Sequence, residues 1–324
     1  MIYSNQKYFF MKRFYFLTML IVLGIQVSLA QNERAIIARW EVGDKQEYVM
    51  ESTIYEITEN GDTTLTSHGM YDFCVSVLEN NQEEYVLKVD YPTSIYTKQL
   101  GLKLKGVGDV ISINVVTGKD GSLIGVNNAD YMITVCRQII EELMKLPQMK
   151  AKGLEEKDMR AFVESVMSPE RMIESFSKDI QLLLWPFGIE LEPGYEYSQN
   201  SQVTVGESII PVECTYYLAP QAKGQTYSEI YMETEYDSNS LAPFVYSFLS
   251  DIMDNIENKG KYDKGEFKSE STNYKIEVMD NYAAGIDDGS TIPFVSTHTR
   301  SSTINLNGKV QGKIQIRIIS LKQE

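Results

Sequence analysis

The feature that most constrains the fold is a helix-rich segment from Asn128 to Gly188, which interrupts strand-like sequence on both sides. Apolar residues in its first part recur at the three-and-four spacing that is typical of one helix face: Met132, Val135, Ile139, Ile140, Leu143 and Met144. Asp130 lies where an N-cap residue would stabilise this helix. The other side of the helix is polar, so we expect it to lie on the face of a sheet.

Two further helices are predicted in the same segment. The stretch from Met159 to Met167 repeats the helical spacing, and Ser168 followed by Pro169 is typical of the cap and first turn of a third helix. This last helix is expected to end before Pro186 and Gly188, because proline and glycine commonly follow the end of a helix.

Alternating apolar and polar residues predict antiparallel strands on both sides of the helices. Asn60-Gly61 and Asn307-Gly308 have the composition of tight hairpin turns. We therefore expect an α+β fold of two similar antiparallel β-sheet units, residues 31–127 and 189–324, each curved like a half-barrel. The central helical segment, residues 128–188, would pack on both units, and the second unit would carry one inserted helix.

An internal duplication would support two units. Residues 72–78 have the sequence Asp-Phe-Cys-Val-Ser-Val-Leu, and residues 212–218 have the sequence Val-Glu-Cys-Thr-Tyr-Tyr-Leu, with cysteine and leucine at the same separation. The alternative is chance, because the spacing between the cysteine and the preceding glycine-led strand differs between the two halves.

Residues 1–30 have the parts of a secretory signal peptide. An apolar run from Phe14 to Leu23 follows three cations, Lys7, Lys12 and Arg13. Small residues end the stretch, and we expect cleavage between Ala30 and Gln31. A membrane anchor is the alternative, but the run is shorter than the roughly 20 residues that a spanning helix needs. The prediction is a periplasmic or secreted protein with no transmembrane anchor after cleavage.

Charge restricts the partners. The signal region holds three cations and no acid, so its removal takes the formal net charge from −15 to −18. Such a chain would be repelled by the phosphates of nucleic acid and by an anionic membrane surface. We therefore expect a soluble protein that binds no nucleic acid.

Candidate reactive residues are few. Cys74, Cys136 and Cys214 are the three cysteines, and in an oxidising compartment Cys74 could form a disulfide with Cys214. The alternative is three buried free thiols. His68 and His298 are the two histidines, and neither lies in a local zinc or hydrolase motif.

Clustered acids give no stronger signal. Asp280, Asp287 and Asp288 lie near Gly285 and Gly289, but not in the alternating order of a calcium loop, so a solvated turn is favoured. No residue is predicted to be catalytic, to bind a cofactor or to hold a metal. The protein is not expected to be an enzyme.

Tyrosine is abundant, with 21 residues concentrated in the predicted strands. Its amphipathic ring suits an exposed face that stacks on sugars or lines an apolar groove. The alternative is the ordinary preference of tyrosine for half-buried strands.

The passage from Trp185 to Tyr195, Trp-Pro-Phe-Gly-Ile-Glu-Leu-Glu-Pro-Gly-Tyr, resembles one in uncharacterised exported proteins of Gram-negative bacteria, a domain of unknown function. A strand that begins with glycine and reaches tyrosine, here Gly43 to Tyr48, is also similar to theirs. In layout such proteins are distantly similar to periplasmic lipid and lipoprotein carriers, in which a curved sheet closes over helices around an apolar cavity. The resemblance implies this layout and no catalytic residues.

Two functions follow from these patterns. The first is a non-enzymatic exported protein that binds an apolar ligand, or a lipidated or unfolded client, between its sheet and its Met-rich helices. The alternative is a cell-envelope interaction protein that holds a glycan or another protein on tyrosine-rich strands. A hydrolase would require His68 or His298 to meet acids or a serine in one cleft.

Overall fold

A computed structural model describes residues 33–94, 108–145, 169–205, 208–241, 274–306 and 309–322. The expected cleavage site at Ala30 and Gln31, the helix from Met159 to Met167 and the hairpin turn at Asn307-Gly308 lie outside these residues. Within the described ranges, no helix is both long enough and apolar enough to cross a membrane.

The described residues form thirteen strands and two helices. The strands are β1 (Arg34–Ala35), β2 (Lys45–Ile57), β3 (Thr63–Asn80), β4 (Glu84–Pro92), β5 (Val110–Gly118), β6 (Leu123–Val126), β7 (Glu190–Leu191), β8 (Glu196–Val205), β9 (Ser208–Leu218), β10 (Tyr227–Tyr236), β11 (Tyr274–Asp287), β12 (Pro293–Leu306) and β13 (Lys309–Leu321). The helices are α1 (Ala129–Met144) and α2 (Pro169–Leu184). The fold is therefore mainly β.

Eleven of the described strands form one antiparallel sheet in the order β6-β5-β4-β3-β2-β13-β12-β11-β10-β9-β8, and β1 pairs separately with β7. The first long strand pairs with the last. Tyr48 of β2 lies opposite Leu321 of β13, and the pairing continues to Ile57 and Gly312. The expectation of an α+β fold with two β-sheet units is therefore wrong, because β2 and β13 join the strands of both halves into one sheet. Hairpin signals report pairing between neighbours in sequence and carry no information about this contact.

Hydrogen bonds from two adjacent residues show that the sheet is strongly curled. Ala38 donates its backbone N–H to the carbonyl of Asp120 at 2.8 Å, in the turn between β5 and β6. Arg39 donates its backbone N–H to Oγ1 of Thr291 at 2.8 Å, in the turn between β11 and β12. In the sheet order these turns are six strand steps apart, or about 29 Å in a flat sheet with a spacing of about 4.8 Å. Because adjacent Cα atoms are about 3.8 Å apart, the sheet must bend to bring the turns together.

We call the face of the sheet that carries α1 and α2 the inner face, and the opposite face the outer face. α2 lies over β12 and β13 and also packs against α1. Side chains of both helices and of the inner face form one hydrophobic core. Its least exposed members include Met132, Cys136 and Ile139 of α1, Ile180 of α2, and Val89, Ile111, Ile113, Ile230 and Ile319 of the sheet.

The start of α1 is fixed to β5 by Asn128. This residue precedes the helix, but its side chain makes no capping hydrogen bond. Instead its Oδ1 accepts the backbone N–H of Asn114 at 2.8 Å, and its Nδ2 donates to the carbonyl of Ser112 at 3.0 Å. Asp130, predicted as the N-cap, lies in the first turn of the helix.

One end of the curled sheet is closed by the segment before β2 and the residues that follow α2. Gly188 donates its N–H to the carbonyl of Ile36 at 2.9 Å. Gly121 has φ +94°, and a Cβ there would lie 2.8 Å from the Cβ of Ala38 and 2.8 Å from the ring of Phe187. Glycine at position 121 therefore serves both the turn and the close approach of these segments.

Candidate functional site

Tyrosine side chains occur both in the core and at the surface. Tyr48, Tyr85 and Tyr91 are buried. Other tyrosines are among the most exposed large side chains, and apart from one on α1 they lie on or next to β8 and β10: Tyr131, Tyr195, Tyr197, Tyr227 and Tyr231. Strand propensity accounts for tyrosine on half-buried strands, so the exposed rings are the ones to consider for binding.

A cluster of aromatic rings lies on the outer face of β9, β10 and β12. Tyr217 of β9 lies opposite Tyr231 of β10, with ring centroids 6.2 Å apart. Tyr227, on the same side of β10, meets the ring of Phe294 edge-on at 5.5 Å. Ile230, which points the other way from β10, belongs to the core. We call Tyr217, Tyr227, Tyr231 and Phe294 the aromatic surface.

Two small residues of β11 form the floor of the aromatic surface. Ala283 lies opposite Tyr231. Gly285 lies two residues further along, and the ring of Phe294 occupies the position where a Cβ on this glycine would be. Any larger residue at 285 would push that ring away from the strand.

Carboxylates border the aromatic surface. The hydroxyl of Tyr231 donates to Oε2 of Glu229 at 3.3 Å. Burial and the negative charge of Glu229 raise the pKa of Tyr231, so its hydroxyl remains a donor at neutral pH. Glu233 shares the outer side of β10 with these residues. The surface thus combines apolar ring faces, a hydroxyl donor and carboxylate acceptors.

A second cluster lies on the inner face, around Asp280 of β11. Oδ1 of Asp280 lies 2.8 Å from Nε2 of His298 and accepts a hydrogen bond from Nε of Arg300 at 2.7 Å. Oδ2 accepts from the second guanidinium nitrogen of Arg300 at 2.6 Å and from the hydroxyl of Tyr236 at 2.6 Å. The ring of Tyr282 stacks on His298 at 4.3 Å. Asp280 is 1 % exposed, whereas Arg300 is 44 % exposed.

These contacts fix the charge of the cluster. Burial alone would raise the pKa of Asp280, but the hydrogen bonds from Arg300 and His298 outweigh it and hold the pKa well below its usual range. The hydrogen bond to Asp280 raises the pKa of Arg300. Burial and the Asp280 carboxylate raise the pKa of Tyr282 to about 12. Asp280 is therefore an anion at neutral pH, and both of its oxygens already accept hydrogen bonds.

The cluster has the acid and the histidine that a hydrolase would need, but its neighbouring serine is committed elsewhere. Ser296 lies two residues before His298, on the same side of β12. Its hydroxyl donates to the carbonyl of Leu182 at 2.5 Å and accepts a hydrogen bond from Nε1 of Trp185 at 3.2 Å. This serine therefore anchors the end of α2 to the sheet and is not positioned as a nucleophile.

A buried carboxylate of α2 makes a further polar link to the inner face. Asp179 forms an ion pair with Arg317 of β13 and accepts a hydrogen bond from the hydroxyl of Tyr71 of β3. Burial raises the pKa of Asp179, although the charge of Arg317 and the tyrosine hydroxyl act in the opposite direction. The pair fixes α2 over the strands in the middle of the sheet.

The other predicted residues lie apart from both clusters. His68 is exposed on β3 and lies near Thr53 on β2, with Nδ1 3.3 Å from the hydroxyl oxygen. Asp287 accepts the backbone N–H of Ser290 at 2.8 Å, as expected for a turn residue. Asp288 forms an ion pair with Arg34 at 2.7 Å. The sequence groups Asp280 with these turn acids, but Asp280 lies within β11.

The cysteines are free thiols, so the Cys74–Cys214 disulfide is not formed. Cys74 of β3 and Cys214 of β9 lie six strands apart in the sheet order. They also point to opposite faces, since Phe73, next to Cys74, is in the inner core, whereas Cys214 lies 3.6 Å from Thr234 on the inner face. The two stretches compared as a duplication are therefore not equivalent in the fold.

Sequence reasoning missed the Asp280–Arg300 pair. The two residues lie opposite each other in the β11–β12 hairpin. Counting outward from the turn, where Asp287 bonds to Ile292, would have placed Asp280 opposite Thr299, because a β-bulge between Gly285 and Ile286 shifts the register by one residue. The face of the sheet that the pair occupies also depends on how the whole sheet curls.

Side chains of the described helices and of the inner face pack together in one hydrophobic core. A cavity lined by Trp40, Leu87, Leu183 and other core residues has a volume of about 30 Å³. Such a volume holds about one water molecule. It is far too small for a lipid chain.

Comparison with known proteins gives no family. No family model matches the chain, and no curated protein matches it. Among solved structures, a loop-deletion mutant of OmpT, an outer membrane protein of Vibrio cholerae, is 9% identical with a TM-score of 0.20, covering 87% of this chain and 100% of that one. Ail, the attachment invasion locus protein of Yersinia pestis, is 5% identical with a TM-score of 0.15 and the same coverage. Likenesses at these TM-scores support no argument about this chain.

Proposed function

We propose that the protein is an exported, non-enzymatic component of the cell envelope that binds a glycan on its aromatic surface. The observation that carries the proposal is the exposure of Tyr227 and Tyr231, 37% and 42%, beside the flat floor of Ala283 and Gly285. Clustered exposed apolar groups of this kind are typical of interaction sites.

The chemistry of the surface suits a sugar. A pyranose ring offers an apolar C–H face, which can lie on Tyr217 or Tyr231, and hydroxyl groups, which can donate to Glu229 and Glu233. An acidic polysaccharide would be repelled by these carboxylates and by the net negative charge of the chain. The proposal therefore favours a neutral or amino-sugar glycan.

The alternative of an apolar ligand or client finds less support in the described residues. It requires a cavity between the sheet and the helices, and the cavity found there is about 30 Å³. The Met-rich helix face expected to adapt to such a ligand is packed in the core, with Met132 0% exposed.

The test is isothermal titration calorimetry with chitooligosaccharides, chitosan oligomers and dextran. We expect one of these to bind, and the double variant Tyr217→Ala/Tyr231→Ala to bind about fivefold more weakly or worse, because two ring contacts at about 0.5–1.5 kcal/mol each contribute about 1–3 kcal/mol together. Tyr131→Ala is the matched control, since Tyr131 is exposed on α1, away from the surface. Absence of binding by the whole panel, or equal binding by the double variant, would overturn the proposal.

A further inference from the structure

We propose that two copies of the protein pair edge to edge through β8, so that the sheet continues from one copy into the other. This inference is independent of glycan binding, because it concerns an edge strand of the sheet and none of the residues of the aromatic surface.

The two edges of the eleven-stranded sheet differ in how they are protected. At one edge, β6 has four residues, and its register with β5 shifts between Val116 and Thr117. Short edge strands and bulges are features that prevent a sheet from adding further strands. At the other edge, β8 has ten residues and keeps an unbroken register with β9 from Glu196 to Val205.

The sequence of β8 also lacks the residues that keep an edge strand from pairing with another strand. It reads Glu-Tyr-Ser-Gln-Asn-Ser-Gln-Val-Thr-Val, with no lysine, no proline and one charged residue, Glu196. Residues 196–202 are all exposed. Within the described part of the chain β8 pairs with β9 alone, so roughly half of its N–H and C=O groups point away from the sheet.

Charge does not prevent a second copy from occupying this edge. The chain has a formal net charge of −15, which opposes contact between acidic surfaces of two copies. Contact along β8 would place only one carboxylate of each copy in the interface. Antiparallel pairing would put these two Glu196 side chains near opposite ends of it.

Symmetry restricts the register of the pair. Residues directly opposite each other in antiparallel strands point to the same face. A twofold axis perpendicular to the sheet must therefore lie between the two copies of one β8 residue, so that this residue faces itself across the interface. With the axis at Asn200, this residue lies opposite itself on the outer face, and Ser198 lies opposite Gln202 of the second copy. Glu196 then lies opposite Thr204 and not opposite another acid.

This register is self-complementary on both faces. On the outer face, amide and hydroxyl side chains meet at Asn200 and at Ser198 with Gln202, and such pairs can hydrogen bond across strands. On the inner face, Tyr197, now 51% exposed, would be covered by Val203 of the second copy. The contact is one strand wide and falls among small interfaces, below about 1,200 Å², so dimerisation is expected to depend on concentration.

Sedimentation velocity over a wide concentration range tests the proposal. We expect the wild-type protein to shift from monomer to dimer as its concentration rises. Asn200→Lys/Gln202→Lys should remain monomeric, because it places two cations in each copy against those of the other. Ile124→Lys is the matched control, since Ile124 is 64% exposed on β6, the other edge strand, and this variant should dimerise like the wild type.

Single cysteines test the register. In a Cys74→Ser background, Asn200→Cys should form a disulfide-linked dimer, because self-opposed residues have Cα atoms about 4.5–5.5 Å apart. Ser198→Cys should not cross-link, since it lies opposite position 202. The proposal is wrong if the wild-type protein stays monomeric at every concentration, or if the lysine variant dimerises as strongly as the wild type. Cross-linking through Ser198→Cys alone rules out the register centred on Asn200.

Discussion

Asp179 of α2 and Arg317 of β13 form a buried ion pair between residues that are 138 positions apart in the sequence. Their side chains are 5% and 15% exposed. Tyr71 of β3 donates to the same carboxylate, so one acid of the helix holds two separate strands of the sheet.

Arg317→Met should strongly destabilise the protein, because it leaves the Asp179 carboxylate buried without its cation. Removing one partner of a buried ion pair costs about 3–5 kcal/mol, and urea denaturation measures the expected loss in free energy of unfolding. Adding Asp179→Asn should recover part of this loss by removing the stranded charge. Lys88→Met is the control, since its pair with Asp90 is more exposed and worth at most about 1 kcal/mol.

Asp280→Asn should make the free energy of unfolding less dependent on pH in the acid range. The pKa of Asp280 is held below its usual value of 3.8 in the folded protein. Its ionised form therefore contributes stability that is present above pH 3.8 and is lost as the pH falls towards the folded-state pKa. We expect wild type and variant to differ most in free energy of unfolding near pH 7 and to begin to converge as the pH falls below about 4. A difference that does not change with pH would contradict this account of the cluster.

Gly121→Ala should destabilise more than Gly61→Ala. Both glycines have positive φ, +94° and +82°, and alanine in that conformation costs about 1–2 kcal/mol. A Cβ at Gly61 meets nothing within 4 Å, whereas one at Gly121 collides with Ala38 and Phe187. We expect a further loss of about 1–3 kcal/mol for Gly121→Ala from this overpacking. Equal losses in free energy of unfolding for the two variants would show that the segments around Gly121 can move apart to make room for the Cβ.

Thiol labelling should distinguish the three cysteines. Cys74 is partly exposed, whereas Cys136 and Cys214 are buried. A thiol reagent should therefore modify Cys74 in the native protein and the other two after unfolding. Native mass should not change on reduction, since no disulfide is present. Protection of all three thiols that is relieved by a reductant would indicate a disulfide instead.

Local signals in the sequence predicted the local structure well. The turn at Asn60-Gly61 separates β2 from β3, and α2 begins at Pro169 and ends before Pro186, as the sequence indicated. Each of these features is determined by residues next to it in the chain.

The rest depends on contacts that no local pattern encodes. The pairing of β2 with β13 and the curl that brings Asp120 near Thr291 arise from the whole sheet. The same holds for the candidate clusters, because Tyr217 and Phe294 share a surface only after four strands have paired in register. Tyrosine abundance indicated a surface but not its position.

The position of β13 between β12 and β2 also affects how the chain is made. Synthesis proceeds from the N-terminus, so β2 is among the first strands to appear and its partner β13 is the last. Until then, β2 and β12 each present a free edge in what will become the middle of the sheet. Long-range pairings of this kind close late. The nascent chain therefore needs protection from aggregation until its final strand is complete.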